Sequence, residues 1–284
     1  MTRGQTRDEA LRVGRERLAE AETPGRDARD LLLHVLGIEA ATLIATGSAT
    51  LTDEEAKRYE AVLARRAAYE PVSKIVGRRA FHGLEFQVTA DVLDPRPDSE
   101  TLVDAALELA PDARTVLDLG TGSGCLLLSI LHRLPRASGL GVDVSEAALA
   151  VARRNARRLD LNERTRFLRS DWLEKVDGTF DLVVCNPPYI GECERETLSD
   201  DVRLWDPQIA LFADEDGLAA YRRIAPELGR ALSETGTAFF EIGSGQEEAV
   251  FRLFAACGFG DITFRRDIAG IRRCMIVRRH GPQK

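Results

Sequence analysis

The sequence contains few of the residues that build metal sites and disulfides. Its five cysteines are scattered without a Cys-x-x-Cys pair, and its four histidines are equally dispersed. Cysteines spaced in this way are typical of small buried side chains in a reducing compartment. A zinc site needs several such ligands close together. We therefore expect no disulfide and no bound metal.

Long apolar runs are also missing. No stretch approaches the ~20 apolar residues that a membrane-spanning helix requires. The first residues of the chain carry charge but no hydrophobic signal core. These absences predict a cytoplasmic protein that is neither secreted nor attached to a membrane.

An excess of positive charge is missing as well. The chain has 39 basic and 46 acidic residues, which gives a formal net charge of -7. A surface that neutralises many phosphates is basic, so direct binding of nucleic acid is not expected. The charge balance favours a protein or small-molecule substrate. The length of 284 residues suits one large domain with a smaller one.

The first part of the chain has the pattern of three or four short helices. Thr6 and Thr52 are each followed three residues later by glutamate, which is the spacing of a capping box. Short helices bury little surface alone, so residues 1–75 are predicted to form a small helical domain that recognises or positions a partner. The next segment, residues 76–92, alternates around Gly83 and predicts a β-hairpin linker.

Strands and helices alternate from residue 93 to residue 284. Strands are predicted at 115–119, 139–143, 165–168, 180–185 and near 237–242, and helices at 125–134, 146–159 and near 218–232 and 247–256. Two further β segments near 262–266 and 273–277 follow without a helix in between. Regular alternation predicts an α/β fold with a parallel, doubly wound, Rossmann-like sheet. The closing pair predicts an antiparallel hairpin at its end.

A glycine-rich loop follows the first of these strands and precedes a helix. It consists of Gly120, Thr121, Gly122, Ser123 and Gly124. The dinucleotide fingerprint G-x-G-x-x-G would require glycine where Cys125 stands, and the Lys-Ser/Thr of a phosphate-binding Walker loop is missing. The G-x-G-x-G spacing is that of class I methyltransferases. The loop therefore predicts S-adenosylmethionine as cofactor, with Asp143 at the end of the next strand accepting from its ribose hydroxyls.

Two further residues are candidates for the adenine site. Asp171 and Trp172 follow the strand at 165–168, whose end borders the adenine in this fold. Asp171 is predicted to accept from the adenine amino group, and Trp172 to pack on the ring. The alternative is an ordinary acidic strand end beside a core tryptophan.

The candidate catalytic motif is Asn186-Pro187-Pro188-Tyr189, directly after the strand at 180–185. An amide or exocyclic amine nitrogen is a poor nucleophile, and its two N–H groups need acceptors. The side-chain oxygen of Asn186 and the backbone carbonyl of Pro187 can accept them, while Pro188 stiffens the loop and Tyr189 supplies a flat wall. This arrangement predicts methyl transfer to a planar nitrogen by orientation and electrostatic stabilisation.

Several other segments, together with these two motifs, match the pattern of one known family. They are residues 26–32, the linker from Glu70 to Gly77 with Phe81, residues 94–100, and positions near 201–211 and 241–246. On these residues the chain resembles, over nearly its whole length, the HemK/PrmC family of bacterial peptide-chain release factor glutamine methyltransferases. Asp94 departs from the family, which usually has an apolar residue at that position.

The resemblance implies a substrate that composition and spacing do not. It implies methylation of the glutamine side-chain nitrogen in the Gly-Gly-Gln loop of class I release factors. It also implies that Gly120 to Gly124, Asp143, Trp172 and Asn186 contact the cofactor, and that the Asn-Pro-Pro-Tyr motif holds the glutamine amide. The alternatives are a glutamine methyltransferase of a large-subunit ribosomal protein and an amino-directed nucleic-acid methyltransferase. A non-enzymatic Rossmann-like binding protein would not need an intact Asn-Pro-Pro-Tyr motif.

Overall fold

The computed structural model describes residues 4–214 and 216–279. Its α-helices are α1 Arg7–Arg17, α2 Pro24–Leu36, α3 Ala40–Ala45, α4 Asp53–Ala67, α5 Val72–Val76, α6 Glu100–Leu109, α7 Cys125–Arg133, α8 Glu146–Arg158, α9 Asp200–Trp205, α10 Gln208–Leu211, α11 Ala219–Ala231 and α12 Glu247–Ala256. Its strands are β1 Arg78–Phe81, β2 Leu84–Gln87, β3 Thr115–Leu119, β4 Ser138–Asp143, β5 Thr165–Arg169, β6 Phe180–Cys185, β7 Leu232–Glu241, β8 Asp261–Arg266 and β9 Arg272–Arg278.

The chain divides into two compact units. One contains the described residues up to Arg78 together with Ser199–Trp205, and the other contains Arg79–Leu198 and the described residues from Asp206 onward. The division falls within the predicted linker 76–92, whose two strands pair as a hairpin. The first unit therefore includes one short segment, α9, that is far away in sequence.

The helical unit begins its helices as the sequence predicts. Thr6 before α1 and Thr52 before α4 both form complete capping boxes with the glutamates three residues later. The helix α2 ends at Gly37, whose φ of 65° lies in the left-handed region that favours glycine. Apolar residues of α1, α2 and α4 form one shared core, which includes Leu31, Leu32 and Leu63.

Two buried polar contacts join α2 to α4 within that unit. The hydroxyl of Tyr59 donates to the backbone oxygen of Ala28 at 3.0 Å. The guanidinium of Arg66 donates to Asp27 at 2.7 Å, and the two side chains are only 11% and 9% exposed. Asp27 accepts a second hydrogen bond from Thr23. Removing one partner of such a pair leaves the other charge buried without compensation.

The second unit is built on a seven-stranded sheet in the order β5-β4-β3-β6-β7-β9-β8. The first five strands in this order are parallel, and β9 pairs antiparallel with both β7 and β8. From β3 the chain proceeds to β4 and β5 on one side and later to β6 and β7 on the other. Such a reversal opens a crevice at the carboxyl ends of the central strands, where α/β proteins bind ligands. The predicted α/β fold with a closing hairpin is confirmed.

Both faces of the sheet are covered by helices. Val116 of β3 packs in a core with α6, α7 and α8, while its neighbours Leu117 and Leu119 pack in a second core with α11 and α12. Alternate side chains of a strand point to opposite faces, so a strand covered twice must be apolar at nearly every position. This accounts for the continuous apolar runs that marked these strands in the sequence.

The segment between Ile190 and Asp214 differs most from the expectation. Its sequence pattern predicts no helix or strand, yet it contains a 3-10 turn at Glu192–Thr197 and the short helices α9 and α10. Its ends are joined by hydrogen bonds between Ile190 and residues 211 and 213. The helices are only six and four residues long and half-exposed, so they leave no periodic apolar signal. No helix in the described ranges is both long and apolar enough to cross a membrane.

The Arg66–Asp27 pair generates a stability prediction. Replacing Arg66 with methionine should lower the free energy of unfolding of the helical unit by about 3 kcal/mol, because Asp27 stays buried without its cation. The matched control is Arg12→Met, since Arg12 pairs with Glu16 where both side chains are more than half exposed. The control should change stability by less than about 0.5 kcal/mol. Equal losses in urea unfolding of the two variants would contradict the assignment.

Candidate active site

The glycine-rich loop and the Asn-Pro-Pro-Tyr motif follow two strands that are neighbours in the sheet. Leu119 at the end of β3 lies beside Cys185 at the end of β6 in parallel register. Parallel strands place their carboxyl ends at the same edge. The two motifs, about sixty residues apart in sequence, therefore begin side by side at the crevice.

The glycines of the loop adopt backbone conformations that other residues avoid. Gly120, Gly122 and Gly124 have φ values of 72°, 55° and 81°. A Cβ on Gly124 would lie 3.1 Å from Leu128 and 3.3 Å from Ala152, so this glycine lets α7 and α8 pack closely. At Gly120 and Gly122 the loop thus presents backbone without a side chain to the crevice.

The buried carboxylate of Asp118 binds a residue of the glycine-rich loop. Asp118 is 1% exposed and accepts a hydrogen bond from the Thr121 hydroxyl at 2.6 Å. Burial raises its pKa to about 7, although the bond from Thr121 opposes the shift. Its Oδ1 atom is buried and has no hydrogen-bond partner among the described residues. Asp118 therefore ties the loop to the end of β3.

Asp143 ends β4 beside the same loop. Its two carboxylate oxygens accept hydrogen bonds from the backbone N–H groups of Gly122 and Ser145, each at 2.9 Å. Burial raises the pKa of this carboxyl, while the backbone donors act in the opposite direction. A carboxylate oxygen has two lone pairs, so each can still accept from a ligand hydroxyl. The ribose contact of Asp143 stays a prediction.

Trp172 contacts the glycine-rich loop, and Asp171 directly precedes this tryptophan in the sequence. The ring of Trp172 packs against Gly120, where a Cβ would come within 3.3 Å of it. Trp172 has a φ of 50°, which is strained for a side chain of this size. Asp171 is half-exposed and forms an ion pair with Arg223 at 2.7 Å. The proposed adenine contacts of both residues stay predictions.

Asn186 is held by a residue that the sequence analysis did not single out. Its amide nitrogen donates to the hydroxyl of Ser99 at 3.1 Å. Ser99 is 3% exposed and precedes α6 in the segment 94–100. Contact with this segment fixes where the Asn186 side chain lies at the crevice.

Tyr189 is anchored at both its ring and its backbone. The phenol donates to the carboxylate of Glu241 at 3.1 Å, and the Tyr189 backbone oxygen accepts from the Gln246 amide at 2.8 Å. A Cβ on Gly217, whose φ is 71°, would collide with that backbone oxygen, so only glycine allows the approach. Burial and the nearby Glu241 raise the pKa of Tyr189 far above its usual range. Its phenol therefore stays protonated.

One cavity of about 360 Å³ collects most of the predicted site residues. That volume lies in the range of small-molecule sites. The predicted residues that line it are Gly120, Thr121, Gly122, Ser123, Asp143, Asp171, Trp172, Asn186 and Pro188. Three predicted site residues do not line the cavity. Gly124 packs between α7 and α8, Pro187 is buried, and the Tyr189 phenol faces Glu241.

The residues at this cavity fit S-adenosylmethionine. A bare glycine cradle, a carboxylate at Asp143 and an aromatic wall at Trp172 suit an adenosine group that carries no phosphate. Cys125 begins α7 where a dinucleotide site would have glycine, and burial raises the pKa of its thiol to about 12. The described residues contain no group of three or more His, Cys, Asp or Glu side chains arranged to hold a metal ion.

Asp94 has a structural explanation. It is 3% exposed, and Arg79 of the hairpin lies 3.8 Å from its carboxylate. Arg79 also donates to the backbone oxygen of Pro95 at 3.2 Å. An acidic residue is therefore tolerated inside this segment because a cation from β1 accompanies it.

The sequence patterns assign no site role to Ser99, Asp118 or Glu241, although Ser99 and Glu241 lie in the segments 94–100 and 241–246 that resemble the family. Asp118 is the next-to-last residue of β3, and Glu241 is the last residue of β7. The carboxyl ends of both strands lie at the crevice. A search for buried acids at the ends of predicted strands would have found them. Ser99 has no such signal, since its contact with Asn186 spans 87 residues of sequence.

Comparisons with known proteins agree with this geometry. The profile of the PrmC N-terminal domain matches residues 9–77, and that of the methyltransferase small domain matches residues 92–200. A release factor glutamine methyltransferase of Rhodospirillum rubrum is 43% identical over 266 residues, which is 93% of this chain and 82% of the relative. One of Cereibacter sphaeroides is 44% identical over 272 residues, covering 95% and 97%.

Solved structures share the fold at low identity. The hMettl16 catalytic domain in complex with a MAT2A 3'UTR hairpin has a TM-score of 0.60 and 16% identity, covering 77% of this chain and 83% of that one. A methyltransferase of Pyrococcus furiosus has a TM-score of 0.51 and 18% identity, covering 78% and 97%. Likeness at this level concerns the fold alone.

Sheet order, glycine cradle and strand-end carboxylate together define a class I S-adenosylmethionine-dependent methyltransferase. The predicted enzyme class and cofactor are thus confirmed. Identity of 43% and 44% over more than nine tenths of this chain identifies the family within that class. The chain belongs to the release factor glutamine methyltransferase family.

The position of Asp143 generates a binding prediction. Replacing it with alanine should weaken binding of S-adenosylmethionine by about 10- to 100-fold, because hydrogen bonds to a charged group contribute about 1.5–3 kcal/mol. Asp112→Ala is the control, since that side chain is 92% exposed and its variant should bind normally. Calorimetry is the measurement. Unchanged affinity in a folded Asp143→Ala protein would contradict the ribose contact.

Proposed function

We propose that the enzyme transfers a methyl group from S-adenosylmethionine to the side-chain amide nitrogen of the glutamine in the Gly-Gly-Gln motif of class I peptide-chain release factors. The products are N5-methylglutamine, S-adenosylhomocysteine and one proton, which the amide nitrogen loses to solvent. One observation carries the proposal: Asn186 of the Asn-Pro-Pro-Tyr motif borders the same cavity as the glycine cradle. The name of the relatives that match nearly the whole chain supports the choice of glutamine and of release factors.

The residues of the motif have defined tasks in this proposal. The Asn186 side-chain oxygen accepts one N–H of the glutamine amide, and the Pro187 backbone carbonyl accepts the other. Pro188 lines the cavity and forms the wall against which the planar amide lies, while the Tyr189 ring supports the motif from its contact with Glu241. The bound cofactor supplies a methyl group on a positively charged sulfur. The chain holds the nitrogen in line with that group and stabilises the positive charge that develops on it.

Acceptors that are already in place explain why no general base of unusual pKa is required. The carbonyl and amide oxygens keep their position while charge develops, so little reorganisation accompanies the reaction. The Tyr189 phenol stays protonated because it lies beside Glu241 in a buried environment. In this proposal it acts through its ring and not as an acid or base.

The remaining parts of the chain have proposed roles around this chemistry. Residues 1–75 recognise the release factor, residues 76–92 link them to the catalytic domain, and residues 93–284 bind the cofactor and catalyse transfer. The enzyme acts in the cytoplasm, where release factors work. It needs no direct contact with nucleic acid, in agreement with its net charge of -7.

The substrate is tested by supplying labelled S-adenosylmethionine with several acceptors side by side. Label should enter a purified class I release factor and should be absent from the same factor with its Gly-Gly-Gln glutamine replaced by alanine. Large-subunit ribosomal proteins, DNA and RNA are the other acceptors. Preferential labelling of a ribosomal protein or a nucleic acid, or equal labelling of the two release factors, would overturn the proposed substrate.

The role of Asn186 generates a catalytic prediction. Asn186→Ala should lower kcat by about 10²–10³, because one preorganised acceptor is lost from the transition state. The matched control is Asn162→Ala, since Asn162 is exposed and its side-chain amide donates to the neighbouring Glu163. The control should retain full activity in steady-state assays. A folded Asn186→Ala enzyme with near-native kcat would remove the support for the motif.

A further inference from the structure

An asparagine can act as an acceptor only if its amide is turned the right way. The oxygen and nitrogen of the side chain are nearly equal in size, and a rotation of 180° exchanges them. Asn186 turned the wrong way would present two N–H donors to an amide nitrogen that itself carries donors. Something in the protein must therefore choose between the two orientations.

The group that contacts the inner side of the Asn186 amide is a hydroxyl. Ser99 lies 3.1 Å from the Asn186 nitrogen and is 3% exposed. A hydroxyl can donate one hydrogen bond and can also accept, so Ser99 alone would tolerate either orientation of the asparagine. The choice depends on where the single proton of the hydroxyl points.

A buried carboxylate determines that direction. Glu241 is 1% exposed, and the Ser99 hydroxyl and the Tyr189 phenol both interact with its carboxylate. Tyr189 donates to Oε1 at 3.1 Å, whereas Oε2 has no partner of hydrogen-bond geometry among the described residues. An ionised carboxylate can only accept. A hydroxyl beside such a carboxylate is stabilised when its proton points to the carboxylate, and its lone pairs are then available to accept from Asn186.

Burial and nearby groups act in opposite directions on the pKa of Glu241. Burial raises the pKa of this carboxyl and the negative charge of Asp98 adds to the rise, while Ser99, Tyr189 and the positive charge of Arg273 oppose it. The ionised and the protonated carboxyl both keep an oxygen that can accept the Ser99 proton. Arg273 is held close by a hydrogen bond to the backbone oxygen of Ile242 at 3.2 Å. An unsatisfied carboxylate oxygen in a low-dielectric site attracts a nearby hydroxyl proton strongly.

We propose that Ser99 and Glu241 are positioning residues that fix the amide orientation of Asn186, so that its oxygen alone faces the substrate nitrogen. The inference rests on the proposed function of Asn186 as an acceptor. It makes one buried carboxylate responsible for two parts of the Asn-Pro-Pro-Tyr motif, since Glu241 holds the Tyr189 phenol directly and Asn186 through Ser99. The arrangement selects substrates that bring N–H donors to the cavity.

Kinetics of four variants test this chain of contacts. Ser99→Ala should lower kcat about tenfold while the affinity for S-adenosylmethionine changes less than twofold. Ser99→Thr keeps the hydroxyl and should recover at least a third of the native kcat. Glu241→Gln brings a donor to Ser99 and should lower kcat at least tenfold. If Ser99 acts only through Asn186, then adding Ser99→Ala to Asn186→Ala should change kcat by less than twofold.

A second readout does not depend on turnover. The side-chain NH₂ signals of Asn186 can be assigned by their loss in Asn186→Ala. Their hydrogen exchange with solvent should be slow in the native enzyme and in Ser99→Thr, and at least tenfold faster in Ser99→Ala. If the native enzyme fails to methylate the release factor, the proposed substrate fails, while the exchange measurement still tests the contact.

The outcomes that would overturn the inference are distinct. A multiplicative loss of kcat in the double variant would show that Ser99 acts independently of Asn186. Equal exchange rates in the native enzyme and Ser99→Ala would show that the hydroxyl does not hold the amide. Native kcat in Glu241→Gln would remove the carboxylate from the chain of contacts.

Discussion

The parallel pairing of β3 with β6 is the constraint on which the site depends. It aligns Leu119 with Cys185, so that the chain leaves both strands at the same edge. The glycine-rich loop follows β3, and the Asn-Pro-Pro-Tyr motif follows β6. A shift of one residue in this register would turn every side chain of the strand to the opposite face. The two apolar cores, which share β3 through alternate residues, oppose such a shift.

Around this strand pair, three carboxylates at strand ends connect the loops of the crevice to the sheet. Asp118, Asp143 and Glu241 lie at the ends of three different strands, and burial raises the pKa of each. Each carboxylate accepts from a loop residue, namely Thr121, Gly122 or Tyr189. Hydrogen bonds to a charged acceptor are stronger than neutral ones, and burial strengthens those of Asp118 and Glu241 further. The loops of the crevice are therefore attached to the sheet and not only covalently connected to it.

Much of the fold could be predicted because its signals are local. Capping boxes at Thr6 and Thr52 and the apolar runs of β3 and β6 lie within a few residues of the elements that they define. The glycine cradle and the Asn-Pro-Pro-Tyr motif are also contiguous in sequence. By contrast, the contacts of Ser99 with Asn186 and of Tyr189 with Glu241 join residues 87 and 52 positions apart. Only the folded sheet brings such residues together, and no periodicity of the sequence predicts these contacts.

The membership of α9 in the helical unit has a consequence for how this protein is assembled. Trp205 donates from its indole to the backbone oxygen of Ala68 at 3.2 Å, and its own backbone oxygen accepts from Lys74. The chain thus contributes to the helical unit twice, first with its beginning and again with Ser199–Trp205. The unit is therefore not a detachable cassette. Exchanging the helical unit between relatives would require three junctions in the gene. A single exchange of the residues up to Arg78 would replace the segment around Ala68 that the Trp205 indole contacts.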